Sequence, residues 1–160
     1  MKKTIFLLFW FILLTIDLQS QNSNYNSIVS YIQKHTKENT QNRIIAVNIW
    51  SASDKNSRDA NIDLNNTGTV FNHAKLKGGD KGVIGVVICL GNDDITSNIT
   101  LKKDGVTNLI VIHASELSSL QELGKKSSSY NIIFDSNGNM IFENLAANSI
   151  FNSIRNLITR

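Results

Sequence analysis

The segment Ile44–Arg58, which reads IIAVNIWSASDKNSR, decides the fold. Residues 44–50 are almost all apolar, with too little alternation for a strand that exposes one face, so we expect both faces to be covered. Asp54 follows shortly after Trp50, and aspartate is one of the residue types that cap a helix N-terminus. The segment therefore predicts a buried strand that runs directly into a helix.

Outward from this segment, helical and strand patterns alternate along the chain. Helical spacing is present over residues 24–37, 54–74, 95–103, 115–123 and 150–158, and further apolar runs lie at 83–90, 109–112, 130–134 and 140–142. Asn137-Gly138 between the last two runs is a strong hairpin signal. Gly68 interrupts the second helical pattern and predicts a kink. The order predicts one α/β domain with a central, mostly parallel sheet, an antiparallel C-terminal hairpin and helices on both faces.

The first 21 residues have the parts of a secretory signal peptide. Two lysines follow Met1, and an apolar run over residues 4–16 leads into a polar stretch. The run is too short to cross a hydrocarbon core of about 30 Å. We therefore expect residues 1–21 to be a signal peptide, residues 22–160 to form one domain without a membrane span, and the protein to be periplasmic or secreted. An uncleaved anchor is the alternative.

The charge balance argues against two classes of partner. Removing Lys2, Lys3 and Asp17 from the 16 basic and 13 acidic residues leaves 14 and 12. So small a surplus gives no electrostatic basis for binding nucleic acid, and no long block of like charge indicates binding to a membrane surface. A protein or peptide partner stays open.

Cys89 is the single cysteine of the chain. One thiol cannot form an internal disulfide, so the stability of an exported domain must come from its core. One thiol also cannot complete a two-cysteine exchange within the chain. Because Cys89 lies inside an apolar run, burial is the expected environment, and burial without a neighbouring cation raises the pKa of a thiol. A peroxidatic role would need a helix N-terminus and a nearby arginine, and neither is evident.

Residues 47–58 resemble the active-site segment of thioredoxin-like proteins, which reads roughly V-N-F-W-A-x-W-C-x-x-C-R. The matching positions are Val47, Asn48, Trp50 and Arg58. Three later stretches extend the resemblance to exported reductases of the TlpA and ResA type: residues 86–94, 102–105 and 123–135, the last followed by the Asn-Gly turn. The resemblance implies a thioredoxin fold over nearly all of residues 22–160.

The departures from this family concern its catalytic groups. Its two cysteine positions fall on Asp54 and Ser57, and its cis-proline position falls on Ser129. A cis bond before a non-proline residue costs roughly 2.5–4 kcal/mol, so we expect a trans bond there. By resemblance, the peptide groove of active relatives would be rebuilt here from Trp50, Ser53, Asp54, Lys55, Asn56, Ser57, Ser128, Ser129 and Tyr130.

Each candidate residue also has a structural interpretation. Asp54 is expected to cap the helix, since no paired acid or histidine is near it in sequence for general-base catalysis. Ser57 would need an activating base to act as a nucleophile. Trp50 is expected in the core rather than as a ligand platform.

No metal or cofactor is predicted. His35, His73 and His113 lie on separate elements without the spacing of a metal site.

The sequence thus favours an exported thioredoxin-fold protein without thiol-disulfide oxidoreductase activity or catalytic residues, acting as a protein- or peptide-binding module. The alternative is a redox-linked protein, thioredoxin- or peroxiredoxin-like, that uses Cys89 together with a partner. A decayed copy with no remaining role is the third interpretation.

Overall fold

The computed structural model describes residues 23–91, 93–116 and 129–159. The predicted signal peptide, Ser128 and most of the helix predicted over 115–123 lie outside these ranges. Within them, none of the helices is long and apolar enough to cross a membrane.

The described elements follow the predicted order. A first helix, α1, covers residues 23–35. The other helices are α2 (Lys55–Phe71), α3 (Asp94–Lys103) and α4 (Ile150–Arg155), and the strands are β1 (Ile44–Trp50), β2 (Val83–Cys89), β3 (Ile110–His113), β4 (Ser129–Phe134) and β5 (Met140–Glu143). Short 3-10 turns cover Lys77–Gly79 and Ala114–Glu116.

The five strands form one sheet in the order β3-β2-β1-β4-β5. β1 pairs in parallel with β2, and β2 with β3, whereas β4 runs antiparallel to both β1 and β5. Four of the five strands therefore share one direction, and the last two form the predicted hairpin. Gly138 in its turn has a φ of 83°, a conformation that glycine adopts without a steric penalty.

Both faces of the sheet are covered, as the almost entirely apolar pattern of β1 predicted. On one face Ala46 and Trp50 pack with Leu64 of α2 and with α4. On the other face Val47 and Ile49 pack with the apolar side of α1. Every residue of β1 and β2 is buried, so these two strands form the centre of the domain.

Two helix predictions need correction. The predicted kink at Gly68 is wrong, because α2 continues through this residue to Phe71. The last helix ends at Arg155 and does not reach residue 158. The apolar residues Leu157 and Ile158 lie beyond the helix because they pair with the segment around Leu76. Ile158 forms a β-bridge with Leu76, and the N–H of Lys77 donates to the carbonyl of Leu157 at 2.7 Å.

Candidate functional site

The N-terminus of α2 lies at the carboxyl end of β1, and Asp54 caps it. One carboxylate oxygen of Asp54 accepts hydrogen bonds from the backbone N–H groups of Asn56 and Ser57, at 2.9 and 3.3 Å. These are amides that a helix start leaves without a partner in the helix itself. The capping role expected for Asp54 is therefore what the geometry shows.

Ser57, one turn further on, is completely buried. Its hydroxyl lies 2.9 Å from the carbonyl of Asp54 and 3.2 Å from that of Ser51, and it accepts from the N–H of Ser51 at 3.3 Å. These partners are backbone groups, and a carbonyl oxygen cannot take a proton from serine as a general base does. Ser57 therefore closes the turn between β1 and α2 and does not form an activated nucleophile.

Trp50 and Cys89 end neighbouring strands and touch each other in the core. The indole Nε1 of Trp50 donates to the Cys89 sulfur at 3.1 Å, and both residues are at most 1% exposed. Burial raises the pKa of the Cys89 thiol to about 11, although hydrogen bonds from Trp50 and the Ser97 side chain oppose the shift. Cys89 is therefore a protonated, inaccessible thiol at neutral pH.

On the other side of β1, β4 carries the position aligned with the family's cis-proline. Ser129 is half-buried and pairs in register with Trp50. Tyr130 follows it, pairs with Ile49 and is only 7% exposed. Its hydroxyl donates to the carboxylate of Glu143 on β5. The peptide bond before Ser129 involves Ser128, outside the described residues, so its predicted trans geometry stays a prediction.

The structure therefore corrects the predicted binding surface by removing three of its residues. Trp50, Ser57 and Tyr130 point into the core. The remaining described members are exposed or half-exposed: Ser53, Asp54, Lys55, Asn56 and Ser129. We call these five residues the α2 surface.

Beside the α2 surface lies a shallow depression that the sequence did not predict. Its volume is about 360 Å³, and it is bounded by residues 51–53 and by the first turns of α3, with Asp93, Thr96, Ser97 and Thr100. The side chains of Ser51 and Ser53 are hydrogen-bonded to each other at its rim, at 3.0 Å. The lining includes the hydroxyl groups of Ser51, Ser53 and Thr96, and a hydroxyl can donate to or accept from a peptide backbone.

A buried amide, also missed from the sequence, fixes α2 on β1. Asn48 is fully buried, and its Nδ2 donates to the carbonyl of Ser57 at 3.0 Å and to Oδ1 of Asn61 at 2.7 Å. The only signal in the sequence was a polar residue within an apolar strand. Such a residue is retained in a core when it is hydrogen-bonded.

A second contact holds α2 against the end of α3. The guanidinium of Arg58 donates two hydrogen bonds to the carboxylate of Asp104, at 2.7 and 2.5 Å. These bonds are the main cause that lowers the pKa of Asp104. Arg58 therefore positions helices, although it matches the active-site segment of the family.

The histidines do not converge. The His113 ring lies 2.8 Å from a carboxylate oxygen of Asp94, and the His35 ring packs on Tyr31 at a centroid distance of 4.2 Å. Among the described residues, no group of three or more His, Cys, Asp and Glu side chains is placed to hold a metal ion.

The sheet order, the covering helices and the helix that starts at the end of β1 define the thioredoxin fold. No protein-family model and no curated protein sequence matches the chain. Solved structures do match it, and their fold is shared by this protein.

Three of these structures illustrate the likeness. The thioredoxin domain of a thiol-disulfide oxidoreductase from Bacteroides vulgatus aligns with a TM-score of 0.61 at 13% identity, over 75% of this chain and 82% of that one. A thioredoxin-like protein from Parabacteroides distasonis gives 0.54 at 20% identity, over 74% and 83%. A secreted disulfide oxidoreductase from Mycobacterium tuberculosis gives 0.58 at 9% identity, over 74% and 84%.

Proposed function

We propose that this chain is an exported thioredoxin-fold protein that binds a protein or peptide partner and has no thiol-disulfide oxidoreductase activity. The main support for the proposal is that the protein lacks an accessible cysteine thiol at the motif. Asp54 and Ser57 occupy the two motif positions, and the single thiol of the chain is buried with a raised pKa. Thiol-disulfide exchange requires an accessible thiolate.

Export rests on the signal-peptide pattern of residues 1–21. It is supported by likeness to a disulfide oxidoreductase described as secreted. The expected location is the periplasm or the exterior of the cell. N-terminal sequencing of the mature protein tests this, since a chain that starts near Asn22 is expected and a chain that keeps residues 1–21 would contradict it.

An insulin-reduction assay tests the absence of redox activity. The protein is expected to give the same rate as a no-protein control in the presence of dithiothreitol. Turnover above the control would overturn the proposal. If the turnover then disappeared in Cys89→Ala, the alternative function through Cys89 and a partner would be correct.

Binding is assigned to the α2 surface together with the depression beside it. Ser53, Lys55 and Asn56 are exposed there, and Lys55 makes an ion pair with Asp59 at 2.5 Å. A highly exposed pair of this kind contributes little stability, so Lys55 can exchange it for a partner's carboxylate.

A photo-crosslinking residue placed at position 56 tests this assignment. Val70 is a matched control, because it is 59% exposed and lies near the other end of the same helix. Discrete adducts in the source cells are expected from position 56 and not from position 70. Equal labelling from both positions, or none from position 56, would contradict binding at this surface.

A further inference from the structure

A second cavity lies at the amino-terminal ends of the strands, opposite the end at which the α2 surface lies. Its volume is about 500 Å³, and it is enclosed by the end of α2, the starts of β2 and β3, and the segment after α1. We call it the amino-terminal cavity. Its volume is within the range of pockets that bind small molecules.

Arg43, in the wall of this cavity, is a partly buried cation that makes no salt bridge within the described residues. Its Nη2 donates to Oδ1 of Asn72 at 2.5 Å and to the carbonyl of Val83 at 3.1 Å, and both acceptors are neutral. Arg43 belongs to none of the ion pairs in the described part of the chain. These two bonds hold the guanidinium in the cavity wall, and guanidinium groups are strong binders of carboxylates.

The charges around the cavity favour a ligand with one negative charge. Lys37 and Glu38 lie at the exposed rim, so with Arg43 the lining carries two cations and one anion. Burial lowers the pKa of the Arg43 guanidinium, and Glu38 opposes this from a distance. A bound anion would compensate the desolvated cation more closely than Glu38 does.

Two parts of the lining would accommodate a ligand: Gly68 leaves space, and Leu109 and Ile110 offer an apolar contact. Gly68 lies in α2, where alanine would be the better helix former. A Cβ atom at Gly68 would meet only the backbone nitrogen of Gly85, at 3.8 Å, so packing does not require glycine there. The partly buried side chains of Leu109 and Ile110 complete the lining on the β3 side.

From this geometry we infer that the amino-terminal cavity binds a small organic carboxylate, with the carboxylate on Arg43 and a short apolar part against Leu109. This site is independent of the α2 surface, since the two lie at opposite ends of β1 and β2. If the cavity binds no carboxylate, the proposed function at the α2 surface is unaffected.

Amide chemical shifts of the 15N-labelled protein, titrated at constant ionic strength, test the inference. Sodium butyrate is the probe, 1-butanol is its neutral counterpart, and inorganic phosphate is the competing anion. Butyrate is expected to give saturable shifts at Gly68, Gly85 and Asn108, while 1-butanol gives none. No saturation with butyrate, equal shifts with 1-butanol, or tighter binding of phosphate would overturn the inference.

Three variants sharpen the test. Arg43→Gln is expected to weaken butyrate binding by about tenfold or more, as expected for loss of a charged hydrogen-bond donor. Glu38→Gln is expected to tighten binding, because it removes the competing anion. Gly68→Ala is expected to weaken binding without lowering the unfolding temperature, because a methyl group then occupies the cavity.

Unchanged affinity in Arg43→Gln would overturn the inference. Should that variant not fold, Glu38→Gln and Gly68→Ala still decide it, since unchanged affinity in both would equally contradict the site.

Discussion

Two strand-to-helix junctions lie side by side in this domain and begin in the same way. β1 ends at Trp50 and its helix is capped by Asp54, whereas β2 ends at Cys89 and its helix is capped by Asp93. Asp93 accepts from two backbone N–H groups at 3.0 and 3.1 Å, which matches the contacts of Asp54 at 2.9 and 3.3 Å. Since the β2–α3 junction has no redox motif and carries the same cap, helix capping is sufficient to explain an aspartate at position 54.

The junctions differ at the third residue after the cap. At the β1–α2 junction this residue is Ser57, which is buried and hydrogen-bonded to backbone carbonyls. At the β2–α3 junction it is Thr96, which is exposed and donates to the Asp93 carboxylate. The position aligned with the second cysteine of the family motif is therefore part of the core, and a partner can reach only the rim around it.

The largest expected effect comes from substituting the last residue of each strand, Trp50 in β1 and Cys89 in β2. Trp50→Ala should lower the free energy of unfolding by about 3–5 kcal/mol, because it empties a fully buried indole site. Cys89→Ala removes a much smaller side chain and should cost less. Chemical denaturation measures both. A loss below about 1 kcal/mol for Trp50→Ala, far under the usual cost of such a truncation, would show that Trp50 is not a core residue.

The raised pKa of the buried Cys89 thiol should make the stability of the protein depend on pH above pH 9. The folded pKa of Cys89 is about 11, above its ordinary value of 9.0. The unfolded chain therefore loses this proton first as the pH rises, and the contribution of Cys89 to stability is complete below pH 9 and lost towards pH 11. The slope from one proton is at most about 1.4 kcal/mol per pH unit.

Denaturant unfolding from pH 8 to 11 measures this slope, with Cys89→Ala as the control for the other groups that titrate there. The wild-type curve should fall more steeply than that of Cys89→Ala. Parallel curves would mean that the thiol has an ordinary pKa in the folded protein.

The two caps themselves give the smallest effect. Asp54→Ala should lower the free energy of unfolding by about 1 kcal/mol, while Asp54→Asn should keep most of the cap. Asp93→Ala is the matched variant at the β2–α3 junction and should act in the same direction. Thermal unfolding of the three variants measures this. If Asp54→Ala were neutral or stabilising, capping would not explain this residue, and a functional role would have to.

The sequence predicted those parts of the molecule that depend on local pattern. The largely apolar runs predicted β1 and β2, Asp54 predicted the start of α2, and Asn137-Gly138 predicted the hairpin. The sequence could not predict contacts that depend on how separate helices and strands pack together. The bond from Asn48 to Asn61 and the depression beside Ser53 depend on how α2 and α3 sit on the sheet.

Two errors have the same origin. Gly68 suggested a kink because glycine weakens an isolated helix, but α2 is held along its length by packing on the sheet. Residues 157–158 continued the apolar period of α4, but pairing with the chain near Leu76 ended the helix earlier. In both cases tertiary contacts outweighed local preference.

The central claim is that the thioredoxin-like motif keeps the helix start and has lost the thiol chemistry, with no substitute thiol elsewhere. Reaction of the native protein with a thiol-specific reagent at neutral pH tests it most directly. We predict that Cys89 reacts only after denaturant unfolds the protein, because the thiol is 1% exposed and protonated. Rapid modification of the native protein would contradict this account and favour a redox function.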